Sequence, residues 1–378
     1  MVFHFAILQA QLSIFASNYI LVHDFLTLTW DVSKGFGVFG ANIRFYQLFF
    51  AAGFFVGFYI MNGFFKKEGV PKEVLDSLLS YMVIATILGA RLGHVFFYQW
   101  DYYSENPIEI LKVWKGGLAS HGAAIAIIIT LYYFSKKITH KSPLWILDKV
   151  VITVALAACF IRLGNMFNSE IYGNMANSPT ETVFVDLSRE ALSNYWEEDI
   201  TKIDFNKTSE RLQTDSLEYP VYLMTTELTS GMSEDKANEI IQNQAAYLNM
   251  FPNEEKNIIV EDPSNYKLQF VNNHWIAQRS VLGIPRHPTQ LYESFAYLLI
   301  FILLYGLYQK GYWKKQGLLF GLFLITLFGF RFFIEFFKVV QVASEKGLDL
   351  NFGQRLSIPL ILVGLFFVIR SFKIAPLK

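Results

Sequence analysis

The sequence predicts a polytopic α-helical membrane protein with seven transmembrane helices and a small α+β extracytoplasmic domain inserted between the fourth and fifth of them. Its 378 residues are 53% hydrophobic and 17% charged, with a mean hydropathy of +0.32. Soluble domains typically carry about 25% charged residues, so this composition favours a membrane protein. Seven apolar runs predict the seven helices, and one long polar region, residues 175–283, predicts the inserted domain.

A transmembrane helix needs about 20 mostly apolar residues. This length selects seven segments, at about 46–64, 77–98, 117–134, 146–166, 289–308, 316–337 and 355–372. Residues 2–22 are also apolar, but Gln9, Gln11 and Asn18 interrupt them. No positively charged region precedes them, as it would in a secretory signal peptide. We therefore expect 1–40 to be an extracytoplasmic or interfacial segment.

Basic residues follow alternate spans, which predicts the orientation. They lie after the first, third, fifth and seventh spans, at Lys66, Lys67, Lys72, Lys136, Lys137, Lys141, Lys310, Lys314, Lys315, Arg370, Lys373 and Lys378. Connecting segments rich in Lys and Arg stay in the cytoplasm. The C-terminus is therefore expected in the cytoplasm, and the N-terminus and residues 175–283 outside.

The polar region 175–283 separates two membrane segments, 41–174 and 284–378. It contains 18 of the 32 acidic residues but only 8 of the 32 basic ones, so no nucleic-acid partner is expected. Periodicity predicts helices at Ser188–Trp196 and Glu234–Asn249 and strands at Lys256–Val260 and Tyr266–Trp275. Pro179, Pro220, Pro252 and Pro263 are expected to interrupt it. The simpler interpretation, which this pattern favours, is a decorated loop without chemistry of its own.

Ionisable residues inside the apolar runs are candidates for a substrate site, because burying them in lipid is costly. With seven spans, His121, Arg162, Asn165, Glu170 and Arg331 all fall in the outer half of the bilayer. Arginine suits a phosphate, since its planar fork can bind two oxygens at once.

Each candidate also has a simpler interpretation. Arg162 can extend to the lipid headgroups without binding a substrate. Arg331 and Glu335 are spaced i,i+4 and can form a structural ion pair. His121 can be a hydrogen-bonded polar residue or a general base, because imidazole titrates near working pH.

The chain contains one cysteine, Cys159, inside an apolar run. This excludes an intrachain disulfide and a cysteine metal cluster, and the side chain is expected to be a small buried hydrophobe. The spacing of His94, His121 and His287 matches no metal-ligand motif, so we expect neither a metal nor a cofactor.

One run is specific enough to indicate a family. Arg162–Gly173 matches the pattern R-x-G-N-[FIM]-x-N-x-E-x-x-G. Five shorter motifs occur in the same order as in that family, at Arg44–Tyr46, Gly116–Gly122, Arg286–Glu293, Phe330–Phe336 and Gly353–Pro359. Over about residues 40–174 and 284–372 the chain resembles the prolipoprotein diacylglyceryl transferases of bacteria.

The resemblance implies an enzyme of the bacterial inner membrane. Such an enzyme moves the diacylglyceryl group of phosphatidylglycerol to the lipobox cysteine of a prolipoprotein, so its partners are this lipid and prolipoprotein signal peptides. It assigns catalytic roles to His121, Arg162 and Arg331. It assigns substrate binding to Tyr46, Asn165, Asn168, Glu170, Gly173 and Glu335.

Two positions depart from the family pattern. Leu327 stands where a tyrosine is frequent, and Lys338 stands where arginine is frequent. Position 327 therefore lacks a phenol. At position 338 lysine keeps the positive charge but lacks the planar guanidinium that can bind two oxygens. A membrane transporter and a lipid-binding scaffold are rival interpretations of the same intramembrane Arg and Glu residues.

Overall fold

A computed structural model describes residues 27–38, 41–214, 217–252, 255–339 and 349–375, without the side chains of residues 41, 115 and 214. The predicted segment 2–22 lies outside the described residues. The chain divides into two compact units. The first, here called the sheet unit, comprises the described residues within Met1–Gln47, Arg162–Tyr292 and Phe333–Asn351. The second, the helix unit, comprises those within Leu48–Ile161, Glu293–Phe332 and Phe352–Lys378.

The α-helices are, in chain order, α1 Phe45–Lys67, α2 Lys72–Tyr98, α3 Trp100–Glu105, α4 Ser120–Phe134, α5 Pro143–Phe167, α6 Val185–Tyr195, α7 Glu234–Met250, α8 Thr289–Gln309, α9 Leu318–Ile334 and α10 Phe352–Lys373. The strands are β1 Leu28–Trp30, β2 Gly35–Val38, β3 Ala41–Arg44, β4 Thr182–Phe184, β5 Ile200–Thr214, β6 Leu217–Leu228, β7 Ile258–Ile259, β8 Lys267–Val271 and β9 His274–Gly283.

Within the described residues, six helices are long and apolar enough to cross a membrane. They are α1, α2, α5, α8, α9 with its 3-10 extension to Phe337, and α10. They correspond to six of the seven predicted spans, so the chain is a polytopic membrane protein. The remaining span, predicted at 117–134, forms the 15-residue helix α4 followed by a π-helix at Ser135–Thr139.

The helix unit is built around one apolar core and one buried polar cluster. The core includes Phe64, Phe65, Ile152, Leu304 and Leu319, each no more than 2% exposed. Beside it, the Glu68 carboxylate accepts hydrogen bonds from Trp145 Nε1 and Tyr308 Oη, both at 2.7 Å, and pairs with Lys149 Nζ at 3.1 Å. Asp148 accepts the backbone N–H groups of Gly317 and Phe320, at 2.7 and 2.8 Å. It thereby satisfies amides at the start of α9.

The same core accounts for two residues noted in the sequence. Cys159 is buried, as predicted, and its Sγ lies 3.2 Å from Ser294 Oγ. Leu327 is also buried in this apolar cluster, so the position where a tyrosine is frequent contributes packing.

The sheet unit contains a five-stranded antiparallel sheet with strand order β5-β6-β9-β7, and β8 pairs with β9. Helices α6 and α7 contribute buried residues to the same core, including Leu192, Ile241 and Ala245. The parallel pair β1–β4 and the hairpin β2–β3 form two separate small sheets. Both predicted helices of this region are present, as α6 and α7.

The strand prediction at Tyr266–Trp275 was wrong in one respect, because this segment is a hairpin and not one strand. Asn272 and Asn273 both have positive φ, at 49° and 68°, and they connect β8 to β9. Asparagine tolerates this conformation better than most residues, and two such residues make the tight turn that antiparallel strands need.

The longest strands, β5 and β6, were not predicted. Register shifts between Ile200 and Lys202 and between Lys207 and Arg211 break the alternation that marks a strand in sequence. Pro220 was expected to interrupt the chain, but it lies inside β6, opposite Arg211 at the second irregularity. A proline is tolerated in a strand at such a place, where a ladder hydrogen bond is already missing.

Candidate functional site

The run Arg162–Gly173 belongs to the sheet unit. It comprises the last turns of α5 and the turn that follows this helix. Gly164 allows the close approach of Tyr46, since a Cβ at this position would lie 2.9 Å from Tyr46 Cδ2 and 3.1 Å from its Cα. The Tyr46 phenol is close enough to Arg162 and Glu170 to interact electrostatically with both charges. The glycine therefore brings one predicted site residue against two others.

A chain of hydrogen bonds orients the polar side chains of this run. Arg162 Nη1 donates to Asn165 Oδ1 at 3.2 Å, and Asn165 Nδ2 donates to Glu170 Oε1 at 2.7 Å. Asn168 Nδ2 donates to the same carboxylate oxygen at 3.2 Å. Asn165 is 4% exposed, whereas Glu170 is exposed and Arg162 half-buried. The Asn165 amide thus sets the positions of a cation and an anion that are both accessible to solvent.

The turn that follows α5 is strained. Ser169 and Ile171 have φ angles of +53° and +59°, which are unfavourable for residues with a Cβ and especially for a β-branched one. Such strain persists only where surrounding contacts hold it in place, and it is typical of functional sites. Glu170 lies between these two residues, so its backbone position depends on the strained turn.

Among the described residues, three side-chain hydrogen bonds join this turn to segments distant in sequence. Thr289 Oγ1 donates to the Ile171 carbonyl at 2.9 Å, and Gln290 Nε2 donates to the Glu170 carbonyl at 2.8 Å. Both side chains are fully buried. Ser169 Oγ donates to Asp186 Oδ2 at 2.6 Å, and burial raises the pKa of Asp186 to about 6. Residues distant in sequence therefore fix the backbone around Glu170.

Gly173 has a packing role that a side chain would prevent. A Cβ at this position would come within 2.6 Å of both His287 Cβ and the Phe337 carbonyl oxygen. The Gly173 amide donates to the His287 carbonyl at 2.8 Å, and the Asn174 amide donates to the Phe337 carbonyl at 2.7 Å. Burial lowers the pKa of His287. Gly173 therefore allows three segments of the sheet unit to meet at van der Waals distance.

Glu335 and Lys338 lie on one of these segments. Lys338 Nζ and Asn351 Nδ2 lie 3.3 and 3.2 Å from the two oxygens of Glu335. Lys338 is 7% exposed, and it forms an isolated β-bridge with Gly173. Glu335 belongs to the sheet unit and Arg331 to the helix unit. That Glu335 orients Arg331 therefore stays a prediction. Arg331 is half-buried in the last turn of α9.

His121 lies in the helix unit, in the first turn of α4, and is exposed. Its ring contacts Phe97 edge-on, with centroids 4.9 Å apart, and Tyr98 at 5.6 Å. With His94, Tyr98 and Gln99 it lines an open cavity of about 500 Å³.

Arg91 shapes the loop before His121. Its guanidinium donates to the carbonyls of Glu109, Ile110, Gly116 and Gly117, at 2.5, 2.8, 2.7 and 3.3 Å. Gly116 and Gly117 have φ angles of +84° and +69°, a conformation that favours glycine. Arg91 thus holds the glycine pair in place, directly before the helix that carries His121.

The structure therefore assembles five of the predicted site residues into one hydrogen-bonded or packed group within the sheet unit, namely Tyr46, Arg162, Asn165, Asn168 and Glu170. Gly173 and Glu335 lie on segments of the same unit. His121 and Arg331 lie in the helix unit. Sequence reasoning missed the supporting role of Thr289 and Gln290, whose signal was a helix start in the motif Arg286–Glu293. It also missed Asp186, which lies in the polar region.

Known proteins are similar to this chain over most of its length. The sequence model of the prolipoprotein diacylglyceryl transferase family matches residues 35–370. A phosphatidylglycerol–prolipoprotein diacylglyceryl transferase from Chloroherpeton thalassium is 33% identical over 351 residues, 92% of this chain and 96% of the relative. Proteins of the same name from Tolumonas auensis and Porphyromonas gingivalis are each 32% identical, over 88% and 92% of this chain and 92% and 95% of their own lengths.

The family match spans both units, including the hydrogen-bonded group around Arg162 and the loop before His121. From the extent of this match and the identity to full-length relatives it follows that the chain belongs to the prolipoprotein diacylglyceryl transferase family.

Proposed function

We propose that this protein transfers the diacylglyceryl group of phosphatidylglycerol to the lipobox cysteine thiol of a prolipoprotein, the first step of lipoprotein maturation. The observation that carries the proposal is the hydrogen-bonded group Arg162–Asn165–Glu170, which ends an apolar helix in a chain of this family. At the end of a membrane helix it presents a guanidinium that can bind the phosphate of a lipid headgroup and a carboxylate that can accept hydrogen bonds from its glycerol hydroxyls.

The reaction exchanges one bond for another at a single carbon. The cysteine sulfur bonds to the diacylglyceryl carbon, and the bond between that carbon and the phosphate oxygen breaks. Glycerol phosphate leaves with the electron pair, and the thiol proton passes to a base. The nucleophile belongs to the substrate, so the enzyme's task is to stabilise charge on the leaving phosphate and to position the reactants.

The residues of the sheet unit suit this task. We assign the phosphate to Arg162, because its guanidinium can bind two oxygens and Asn165 fixes its orientation. Glu170 and Asn168 supply acceptors and donors for the glycerol hydroxyls, with Tyr46 beside them. Gly173 and Glu335 position the segments around this group. The catalytic roles of His121, as base, and of Arg331, as a second cation, rest on the sequence motifs.

We place the protein in the bacterial inner membrane, with the N-terminus outside, seven crossings and the C-terminus in the cytoplasm. In this arrangement α4 and its π-helical extension, Ser120–Thr139, form the third crossing. Twenty residues extend about 30 Å as an α-helix, which matches the hydrocarbon thickness. The insertion 175–283 is then extracytoplasmic, between membrane segments 41–174 and 284–378.

The decisive experiment is a mass measurement. Purified protein in detergent is incubated with phosphatidylglycerol and a peptide that contains a lipobox cysteine. We expect the peptide to gain the mass of one diacylglyceryl group, through a bond that resists hydroxylamine because it is a thioether. A peptide with serine in place of cysteine should remain unmodified.

Variants then test the assigned residues. Arg162→Ala and Arg331→Ala should each lower the rate about 10²–10³-fold, the usual effect of removing one group that stabilises developing charge. Lys202→Ala is the matched control, since this cation is exposed in the insertion. If the wild-type protein binds the peptide or moves the lipid without producing the thioether, the proposal is wrong.

A further inference from the structure

The sheet unit contains a cavity of about 480 Å³ beside the strained turn. One wall is the turn itself, Ser169–Tyr172, and the other walls come from α6, the end of α7 and the segment Glu255–Ile258. Most of these wall residues belong to the insertion. The volume lies in the range of pockets that hold small molecules or short peptide segments.

The lining has the chemistry of a peptide-binding cleft. Leu187, Ala191, Leu248 and Phe251 form an apolar part of the lining. Charged groups are added by Glu170, Glu255 and Lys256. Asn257, which is 4% exposed, also lines it, and its Oδ1 is a buried acceptor without a donor among the described residues. Its Nδ2 already donates to the Glu255 carbonyl at 3.0 Å. A buried acceptor left unpaired is destabilising, so this oxygen is suited to an N–H from a ligand.

The cavity shares Glu170 with the group that we assign to the lipid headgroup. A substrate cysteine that reacts next to Arg162 and Glu170 therefore has the adjacent part of its own chain close to this cavity. The part that precedes the cysteine is the apolar signal peptide, which belongs in the membrane. The part that follows it is the segment that can reach a cavity formed by the extracytoplasmic insertion.

We propose that this cavity binds the residues that directly follow the lipobox cysteine, in an extended conformation, and that it contributes to the choice of prolipoprotein. A backbone N–H of this segment donates to Asn257 Oδ1, and the segment lies against α6 and Leu248. Extended peptides commonly combine backbone hydrogen bonds with pockets for individual side chains in this way. This inference rests on the proposed function.

Two peptides test it. One continues for several residues beyond the cysteine, and the other ends at the cysteine amide. Wild-type protein should show a lower KM for the longer peptide. Ala191→Phe fills the cavity and should raise the KM for the longer peptide about tenfold, equivalent to ~1.4 kcal/mol of lost contacts. The kcat and the KM for the short peptide should not change.

Asn194→Phe is the matched control, because it adds the same ring at an exposed position of the same helix. It should leave both KM values unchanged. A second measurement does not depend on a variant. A peptide with a photoreactive benzophenone two residues after the cysteine should cross-link wild-type protein within 187–191, 248–251 or 255–258.

The outcomes separate the two proposals. If neither peptide is lipidated by wild-type protein, the proposed function is wrong. If both are lipidated but the KM for the longer peptide is the same in wild type and Ala191→Phe, or every cross-link lies elsewhere, the cavity does not bind this segment. If Ala191→Phe raises the KM for phosphatidylglycerol instead, the cavity holds the lipid headgroup and the inference is overturned.

Discussion

At the scale of single residues, His121 is the assignment most open to experiment. It is an exposed imidazole at the start of α4, next to a cavity that also contains His94 and Tyr98. General bases typically contribute about 10²–10⁴-fold to a rate. If His121 accepts the thiol proton, His121→Gln should lower kcat by about this factor and flatten the acidic limb of the pH–rate profile.

The measurement is lipidation of one peptide at a series of pH values, with folding checked by thermal unfolding. His94→Gln is the matched control, since the same side chain is removed from the other wall of the cavity. It should keep the shape of the pH–rate profile. A His121→Gln enzyme with the wild-type profile would contradict the role as a base.

Asp186 makes the stability of the turn depend on pH. Burial raises its pKa to about 6 in the folded protein, whereas an unfolded aspartate has a pKa of ~3.9. Between these values the folded state binds more protons than the unfolded state. The contribution of Asp186 to the free energy of unfolding therefore falls as pH rises from about 4 to about 6, by about 3 kcal/mol.

Asp186→Asn should abolish this contribution while keeping an acceptor for Ser169. The measurement is denaturant unfolding at pH 4.5 and 7 for both proteins, and the variant should gain stability relative to wild type at pH 7. Asp262→Asn is a control of opposite sign, because hydrogen bonds from Ser264 hold the pKa of that exposed carboxyl below its usual value. Equal pH dependence in wild type and Asp186→Asn would contradict the prediction.

The sequence predicted the residues of the hydrogen-bonded group around Arg162 better than the distant residues that hold its backbone in place. Arg162, Asn165, Asn168 and Glu170 are close in sequence, so one motif contained the whole hydrogen-bonded chain. Gln290 reaches the same turn from 120 residues away. No local pattern can reveal a contact of that kind, because it depends on how the two segments pack.

At the scale of elements, the loop before α4 depends on one side chain from α2. Arg91 is 3% exposed and binds four backbone carbonyls. It also stacks on the ring of Tyr103, with 4.9 Å between its Cζ and the ring centroid. A lysine has one donor group and no planar fork, so it cannot replace these contacts. Arg91 acts on His121 through the loop and is a positioning residue.

Arg91→Lys should reduce kcat while leaving the KM for phosphatidylglycerol near its wild-type value, because the loop that orients His121 relaxes. Hydrogen bonds from a charged group contribute about 1.5–3 kcal/mol each, so the thermal midpoint should also fall. Arg370→Lys, at a half-buried position near the end of α10 and outside the family motifs, is the control. A lower midpoint with an unchanged kcat would show that Arg91 stabilises the loop without positioning His121.

The elements themselves were predictable where a single periodicity extends through them. The helices α6 and α7 were predicted within a few residues, because both carry an apolar stripe against a polar face. The hairpin β5–β6 was not, since its irregular register and Pro220 remove the two-residue alternation. In the membrane part, apolar length predicted seven spans, and six of them are helices long and apolar enough to cross a membrane. The segment predicted at 117–134 ends with α4 at Phe134, but the π-helix Ser135–Thr139 that follows was not predicted, because two lysines interrupt the apolar run there.

At the scale of the whole molecule, the third predicted crossing decides the orientation of everything that follows it. If Ser120–Thr139 crosses the membrane, the insertion 175–283 lies on the opposite side from the lysines after α1. If it does not cross, α5 runs the other way and the insertion shares their side. The two arrangements therefore differ in whether Lys66, after α1, and Lys202, in the insertion, lie on the same side of the membrane.

A cysteine placed at each position distinguishes them. The native Cys159 is buried and hydrogen-bonded to Ser294, so it should react slowly and can be replaced by alanine. Lys66 and Lys202 are exposed, and Lys66→Cys and Lys202→Cys change only surface positions. In intact spheroplasts a membrane-impermeant maleimide should label the cysteine at 202 but not the one at 66, and detergent should make both reactive. Labelling of both before detergent, or of neither, would mean that the third segment does not cross, because only an odd number of crossings separates these two sites.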